Sequence, residues 1–196
     1  MAQSALFLDQ TESQRRQAID AETVFLAWRA ARKAAAEVRG SMLWRELRGK
    51  PTLIRTSASG AQKSLGPRSD ATQAMFDSFM ARKASTHERL QSLKAQLVTQ
   101  QRLNKALRVG RVPNVVVDVI NALDDIGVQD HFLVVGTHAL YAYESAAGVR
   151  ITEEAMATRD VDMLFDTRKR IAFFTALKKL DSSLIGVLRK ADRSFE

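Results

Sequence analysis

Over the first forty residues, apolar side chains recur at helical spacing. Ile19, Val24, Leu26, Trp28, Ala31 and Ala35 sit among charged neighbours. Thr11 and Gln14 stand three apart as a capping box and Gly40 offers a stop, so the pattern predicts a helix over 11–39. Residues 41–49 carry Met42, Leu43, Trp44 and Leu47 as a short amphipathic segment that Pro51 is expected to end. The runs 52–55 and 62–65 are β-prone and flank Ser57-Ala58-Ser59-Gly60, which predicts a hairpin near 52–65. Ser69 can cap a second long helix over 70–108, with Met75, Phe76, Phe79, Leu90, Leu93, Leu97, Leu103 and Leu107 as its apolar positions and Gly110 closing it.

Beyond Gly110 the pattern changes. Pro113 is expected to open a helix that runs to Leu123, with Gly127 after it. The apolar run 131–135 reads as a buried strand. Gly136-Thr137 follows at once, leading into a helix over 138–147 that Gly148 ends. A polar loop over 150–159 precedes a second strand at 160–165. Thr167 can cap a helix over 168–180, and a third strand is expected at about 184–189. The fold class is therefore α+β. A mostly helical region with a hairpin (1–110) precedes a small mixed sheet flanked by helices (111–196).

Charge adds a division to this picture. The chain has 196 residues, 30 Lys and Arg against 22 Asp and Glu, and a net charge of +8. Residues 1–108 hold 19 basic and 9 acidic side chains, and residues 109–196 hold 11 and 13. One half suits a polyanion such as a nucleic acid, while the other concentrates carboxylates. The alternative is two solvated surfaces of opposite sign. The absence of Cys excludes a disulfide scaffold, a thiolate zinc site and a Cys nucleophile. No apolar run reaches the roughly 18–20 residues that span a bilayer, so no membrane partner is expected and a cytoplasmic location is the default.

Two features could carry chemistry. In a strand, Asp160 and Asp162 point to one face, with Cα atoms about 6–7 Å apart. Two carboxylates so placed suit hard divalent cations held through oxygen, together with substrate phosphates. An exposed strand end with two solvated acids gives the same pattern. Gly136 lets a backbone approach a ligand closely, and Thr137 can cap the helix behind it, whose N-terminus favours a phosphate. A plain capped strand-to-helix turn is the alternative here. Lys63, Arg68, Arg111 and the run Arg168-Lys169-Arg170 are weaker candidates for phosphate or nucleic-acid contacts. His138 reads as a surface residue of the capping region.

In this order the two features resemble a known family. Val134-Val135-Gly136-Thr137 followed by Asp160-Val161-Asp162-Met163 is similar to the signature of the DNA polymerase β-like nucleotidyltransferase superfamily. Residues 63–69 (KSLGPRS), 110–113 (GRVP), 134–149 (VVGTHALYAYESAAGV) and 157–166 (ATRDVDMLFD) resemble a bacterial branch of predicted nucleotidyltransferases with a helical N-terminal region.

The resemblance implies that Asp160 and Asp162 hold two Mg²⁺ ions and that Gly136 and Thr137 hold the β- and γ-phosphates of a nucleoside triphosphate. A nucleoside monophosphate would pass to the hydroxyl of an unknown acceptor; the basic N-terminal region could make that acceptor RNA, a reading that rests on charge. Three departures stand beside it. Thr137 replaces the usual Gly or Ser, the spacer to Asp160 is about twice the usual length, and no later acid (Asp166, Asp181, Asp192 or Glu196) sits in an apolar-acid-apolar strand as a third carboxylate should. A C-terminally incomplete core is the expected explanation. The rival is a catalytically incomplete module that binds nucleic acid or a protein partner.

Overall fold

The computed structural model describes residues 7–151, 160–169, 173–174 and 183–192. The architecture is α+β. The chain forms two compact units, Arg16–Leu107 and, together, Met1–Arg15 with Arg108–Glu196.

The first unit is built on two long helices and a three-stranded antiparallel sheet. Helix α1 (Glu12–Glu37) begins with the capping box in place: the Thr11 N–H donates to Gln14 Oε1 at 2.9 Å, and the Gln14 N–H donates to Thr11 Oγ1 at 3.3 Å. Strands β2 (Ser41–Leu47), β3 (Lys50–Thr56) and β4 (Gln62–Pro67) pair in that order. The expected hairpin is β3–β4. Segment 41–49, however, is an additional strand and its turn, and Pro51 does not end it. Arg48 (φ 53°) and Gly49 (φ 72°) form a two-residue turn of the kind whose twist matches flanking strands. Pro51 then lies inside β3, opposite Glu46.

Helix α2 (Asp70–Leu107) runs antiparallel to α1. Buried Gln17 donates to Gln100 Oε1 at 2.6 Å and Asn104 Oδ1 at 2.8 Å, while the Arg82 side chain meets Glu37 near the other end. Leu53 and Ile54 of β3 are buried, and Trp44 of β2 packs against Phe76 of α2 with centroids 6.1 Å apart.

The second unit carries the shorter elements. Strand β1 (Phe7–Asp9) pairs antiparallel with β6 (Val149–Ile151), joining segments far apart in sequence. Helix α3 (Asn114–Asp125) follows Pro113 and buries Val116, Val119 and Leu123, spaced three and four apart on one face. A 3-10 turn, Gln129–His131, leads into β5 (Phe132–Val134), which pairs antiparallel with β7 (Met163–Phe165). The core joins Val119, Leu123 and Val128 to Phe173, which meets Phe165 edge-on at 4.9 Å and Phe132 at 5.7 Å.

Several sequence expectations need correction here. The run 131–135 is not a buried strand throughout, because Leu133 is 63% exposed and faces away from the core. The expected strand 160–165 is regular only from Met163, since its partner chain turns away after Val135; a last bond, Val135 N–H to Asp162 C=O at 2.9 Å, closes the ladder. Arg150 belongs to β6 rather than to a loop, and 152–159 lie outside the described residues. The third strand at 184–189 is instead helix α5 (Leu184–Ala191), whose cap Ser183 accepts a bond from the Gly186 N–H at 3.0 Å. Its Leu184, Val187 and Leu188 have helical spacing, which a short apolar run does not separate from a strand. Most of the helix expected over 168–180 lies outside the described residues; Thr167–Lys169 form a 3-10 turn, and Phe173 and Phe174 are helical.

Candidate functional site

The antiparallel β5–β7 pair determines what stands beside what. Because β5 runs into Gly136 as β7 begins after Asp162, the two motifs meet at one end of the ribbon. A Cβ placed on Gly136 would lie 2.5 Å from Asp162 Oδ2, closer than real contacts allow. Gly136 also has φ +66°, a left-handed conformation that disfavours any other residue. The backbone conformation favours glycine, and the atom that a side chain would meet belongs to the second motif.

Exposure alternates along the β7 approach. Asp160, Asp162 and Leu164 are exposed, whereas Val161, Met163 and Phe165 are partly buried. The two carboxylates therefore share the outer face although regular pairing begins only at Met163. This pair suits a hard cation, which takes carboxylate oxygens and fills its remaining positions with water or phosphate. Among the described residues no three His, Cys, Asp or Glu side chains come together as a metal-binding group. Asp166 is turned to another use: it accepts from the Arg168 side chain at 2.9 and 3.0 Å and from its N–H at 3.1 Å. That hydrogen bonding, then the carboxylate's charge, raises the Arg168 guanidinium above its ordinary value.

Thr137 lies next to Gly136 but does not cap α4 (Leu140–Ala147) as expected. Gly136–Ala139 form a 3-10 turn first, Val135 precedes it with no side-chain cap, and it is the Thr137 carbonyl that accepts from the Leu140 N–H. The first N–H groups of such a turn have no partner within it, so Gly136 and Thr137 open a turn of backbone donors beside Asp162.

His138 is the residue the sequence misplaced. It is 4% exposed, stacked on Tyr141 with centroids 6.0 Å apart, and neither ring nitrogen has a hydrogen-bond partner among the described residues. It lines a cavity of about 700 Å³ that also takes in Gly136. The walls are mainly apolar, including Val116 and Ile120 of α3, Leu133 of β5 and Ala142 of α4; Gln129 also lines it, and its buried Oε1 has no partner among the described residues. The sequence set His138 beside Thr137, within the segment 134–149, but as a surface residue. Only the chain's passage through a 3-10 turn brings it inward.

Of the weaker candidates, Arg111 is engaged within the fold. Its guanidinium makes a two-pronged bond to buried Glu144 (2.5 and 3.3 Å) and bonds the Ile151 carbonyl, while the Ile151 N–H donates to Glu144 at 2.5 Å. Arg111 thereby ties α4 and β6 to the segment before α3. Arg68 lies over the Trp44 ring at 5.4 Å and bonds Gln73; Lys63 is exposed on β4. Among the described residues no helix is long and apolar enough to cross a membrane.

No curated protein and no solved structure matches the chain. A family model described as Nucleotidyltransferase matches residues 114–196, a stretch that contains Gly136, Thr137, Asp160 and Asp162. The C-terminal part of this protein is thus similar to a nucleotidyltransferase family.

Proposed function

We propose that the chain is a nucleotidyltransferase that moves a nucleoside monophosphate from a nucleoside triphosphate to an acceptor hydroxyl. The observation that supports this most directly is the closure of Gly136 against Asp162, which sets backbone donors beside paired carboxylates within the matched stretch. The backbone N–H groups of Gly136 and Thr137, with the Thr137 hydroxyl, hold the β- and γ-phosphates. Asp160 and Asp162 hold Mg²⁺, two ions in the full arrangement. When bound, the metal neutralises the charge of the triphosphate and of the attacking and leaving oxygens. The acceptor oxygen bonds to the α-phosphorus, the bond from that phosphorus to the pyrophosphate oxygen breaks, and pyrophosphate leaves. The chain's own contribution is to position charged groups on one outward face.

The test incubates the chain with α-labelled nucleoside triphosphates and separate RNA and small-molecule fractions, in Mg²⁺ or in chelator. Label should move to an acceptor only with Mg²⁺, and Asp160→Ala/Asp162→Ala should reduce transfer at least about a hundredfold, the scale of losing charge stabilisation at the reacting centre. Unchanged labelling in the double variant overturns the assignment. In parallel, Mg²⁺ with triphosphate at about 100 times its Kd should stabilise the native chain by about 2.7 kcal/mol, and the double variant should lose this effect.

The basic region offers a route to nucleic acid, as acceptor or as partner of a non-catalytic module. Several of its cations are engaged locally. The Arg55 guanidinium donates to the Arg39 carbonyl at 2.6 Å and the Ser41 carbonyl at 3.1 Å, and Lys83 Nζ donates to the Gly40 carbonyl at 2.5 Å. RNA affinity that falls steeply with salt, without triphosphate binding, would favour the module.

A further inference from the structure

We infer that the β2–β3 hairpin is a basic finger that contacts the phosphates of a single RNA strand, with Arg48 at its tip as a contact residue. The finger gives the nucleic-acid route of the basic region a definite place, and so rests on that reading; it is independent of nucleotidyl transfer.

Three observations meet in this hairpin. First, Arg48 occupies a position that its side chain disfavours. The turn residues Arg48 and Gly49 have φ 53° and 72°. Turns of this kind prefer Asn or Gly at the first place, because a Cβ crowds the left-handed backbone. The Arg48 guanidinium has no hydrogen-bond or ion-pair partner among the described residues, so nothing in the fold explains an arginine here. Strain held at an exposed residue that the fold does not use points to a contact outside the chain.

Second, the hairpin projects from its sheet. Strand β4 last pairs with β3 at Thr52 and Pro67, and one further bond joins the Arg68 N–H to the Pro51 carbonyl at 2.8 Å. Beyond that point the ribbon is two strands wide, and every residue from Arg45 to Pro51 is exposed. Third, its charges are sorted by face. Arg45 and Leu47 stand opposite Thr52 and Lys50, so these four share one face, while Glu46 and Pro51 share the other. The second face is the one on which Trp44 meets Phe76 of α2, so Arg45 and Lys50 are turned away from that helix. They form a diagonal pair with Cα atoms about 7–8 Å apart. Arg45 also donates to Gln62 Oε1 at 3.0 Å and stays exposed while doing so.

This arrangement selects the partner. Three cations around one tip, with the nearest acid on the opposite face, suit a chain of repeated negative charge. Guanidinium groups bond phosphate through two N–H donors at once, which gives a phosphate strand an advantage over scattered carboxylates. Leu47, 42% exposed between the cations, adds an apolar contact for a sugar or base. A single leucine is too little apolar area to hold a lipid surface.

The test follows the fluorescence anisotropy of a labelled oligouridine of about 20 nucleotides, titrated with the whole chain in about 0.1 M salt without Mg²⁺ or triphosphate. Arg48→Gly should weaken binding about fivefold, the worth of one phosphate contact at that salt. Its melting temperature should hold or rise, because glycine suits the left-handed turn. Arg45→Gln/Arg48→Gly/Lys50→Gln should weaken binding at least about thirtyfold and make the slope of log K against log salt shallower by about 2. Arg89→Gln/Arg102→Gln/Lys105→Gln, at exposed positions of α2, should stay within about twofold of the native chain. Native affinity in the hairpin triple variant overturns the finger, and if the α2 variant then loses affinity the nucleic-acid route stands on the helices instead. Native affinity in Arg48→Gly, or a fall in its melting temperature above about 4 °C, also overturns the proposal, the latter by assigning Arg48 to the fold. So does displacement of the RNA by polyglutamate or by phosphatidylglycerol vesicles at equal charge concentration. Failure of the native chain to bind the strand overturns the finger and the nucleic-acid route together, and leaves nucleotidyl transfer to its own test.

Discussion

The two units treat their buried polar groups differently. In Arg16–Leu107 the buried ones are matched: Gln17 bonds two amides of α2, Thr72 bonds the Pro67 carbonyl at 3.0 Å, and Thr52 bonds the Lys50 carbonyl at 3.2 Å. In the other unit Glu144 is equally well matched by Arg111 and the Ile151 N–H, yet Gln129, His131 and His138 keep buried atoms without a partner among the described residues. The first unit uses polarity to join its own elements. The second retains polar atoms that its described residues do not satisfy: His138 follows the turn where Gly136 meets Asp162, while Gln129 and His131 lie at the other end of β5. Unsatisfied atoms in a native fold call for a reason beyond stability.

Substitutions can break this contrast or sharpen it. The largest effect is expected for Glu144→Ala, which removes the carboxylate from Arg111 in a pair whose side chains are 8% (Glu144) and 20% (Arg111) exposed. A loss of about 3–5 kcal/mol in urea unfolding is expected from an abandoned buried charge. Gly40→Ala comes next. Its Cβ would sit 2.0 Å from the Thr56 carbonyl oxygen, a backbone atom that cannot swing aside, and φ is +86°. About 2–4 kcal/mol should be lost from strain and overpacking together.

Gly136→Ala should cost less, about 1–2 kcal/mol, because the atom it meets ends an exposed side chain that can rotate away. Its effect on transfer should nevertheless exceed tenfold, since relief of the clash moves Asp162. A Gly136→Ala chain less stable than Gly40→Ala would break the comparison. The smallest effect is expected for His138→Leu: stability unchanged or higher by up to about 1 kcal/mol, measured by thermal melting, as removal of unpaired buried nitrogens should give. A loss above about 2 kcal/mol would show that the ring is held by the fold itself.

What the sequence revealed was governed by local chemistry. The Thr11–Gln14 box spans three residues and both its bonds form, so the start of α1 was readable. Asp160 and Asp162 share a face because alternation is a property of extended backbone, whatever pairs with it. The α5 segment was misread because Leu184, Ile185, Val187 and Leu188 satisfy strand and helix patterns alike, and Ser183 settles the matter only once its hydroxyl meets the Gly186 N–H. The burial of His138 and the pairing of β1 with β6 were not readable. Each depends on segments that meet only in three dimensions. Arg111 reads as a surface cation until Glu144, 33 positions away, is seen to receive it.

The pairing of Phe7 with Ile151 also governs the order of events in synthesis. Phe7 and Leu8 leave the ribosome well before Val149–Ile151 and have no strand to join until those residues follow. The entropy of closing so long a loop grows only by about 0.6 kcal/mol per doubling of length, so the ribbon is thermodynamically inexpensive. It is kinetically late, because non-local contacts form after local ones. Throughout that interval an apolar strand, still more than half exposed at Phe7 and Leu8 after pairing, presents open hydrogen-bonding edges. The nascent chain is therefore open to association at Phe7–Asp9, and the risk ends only when β6 has been made.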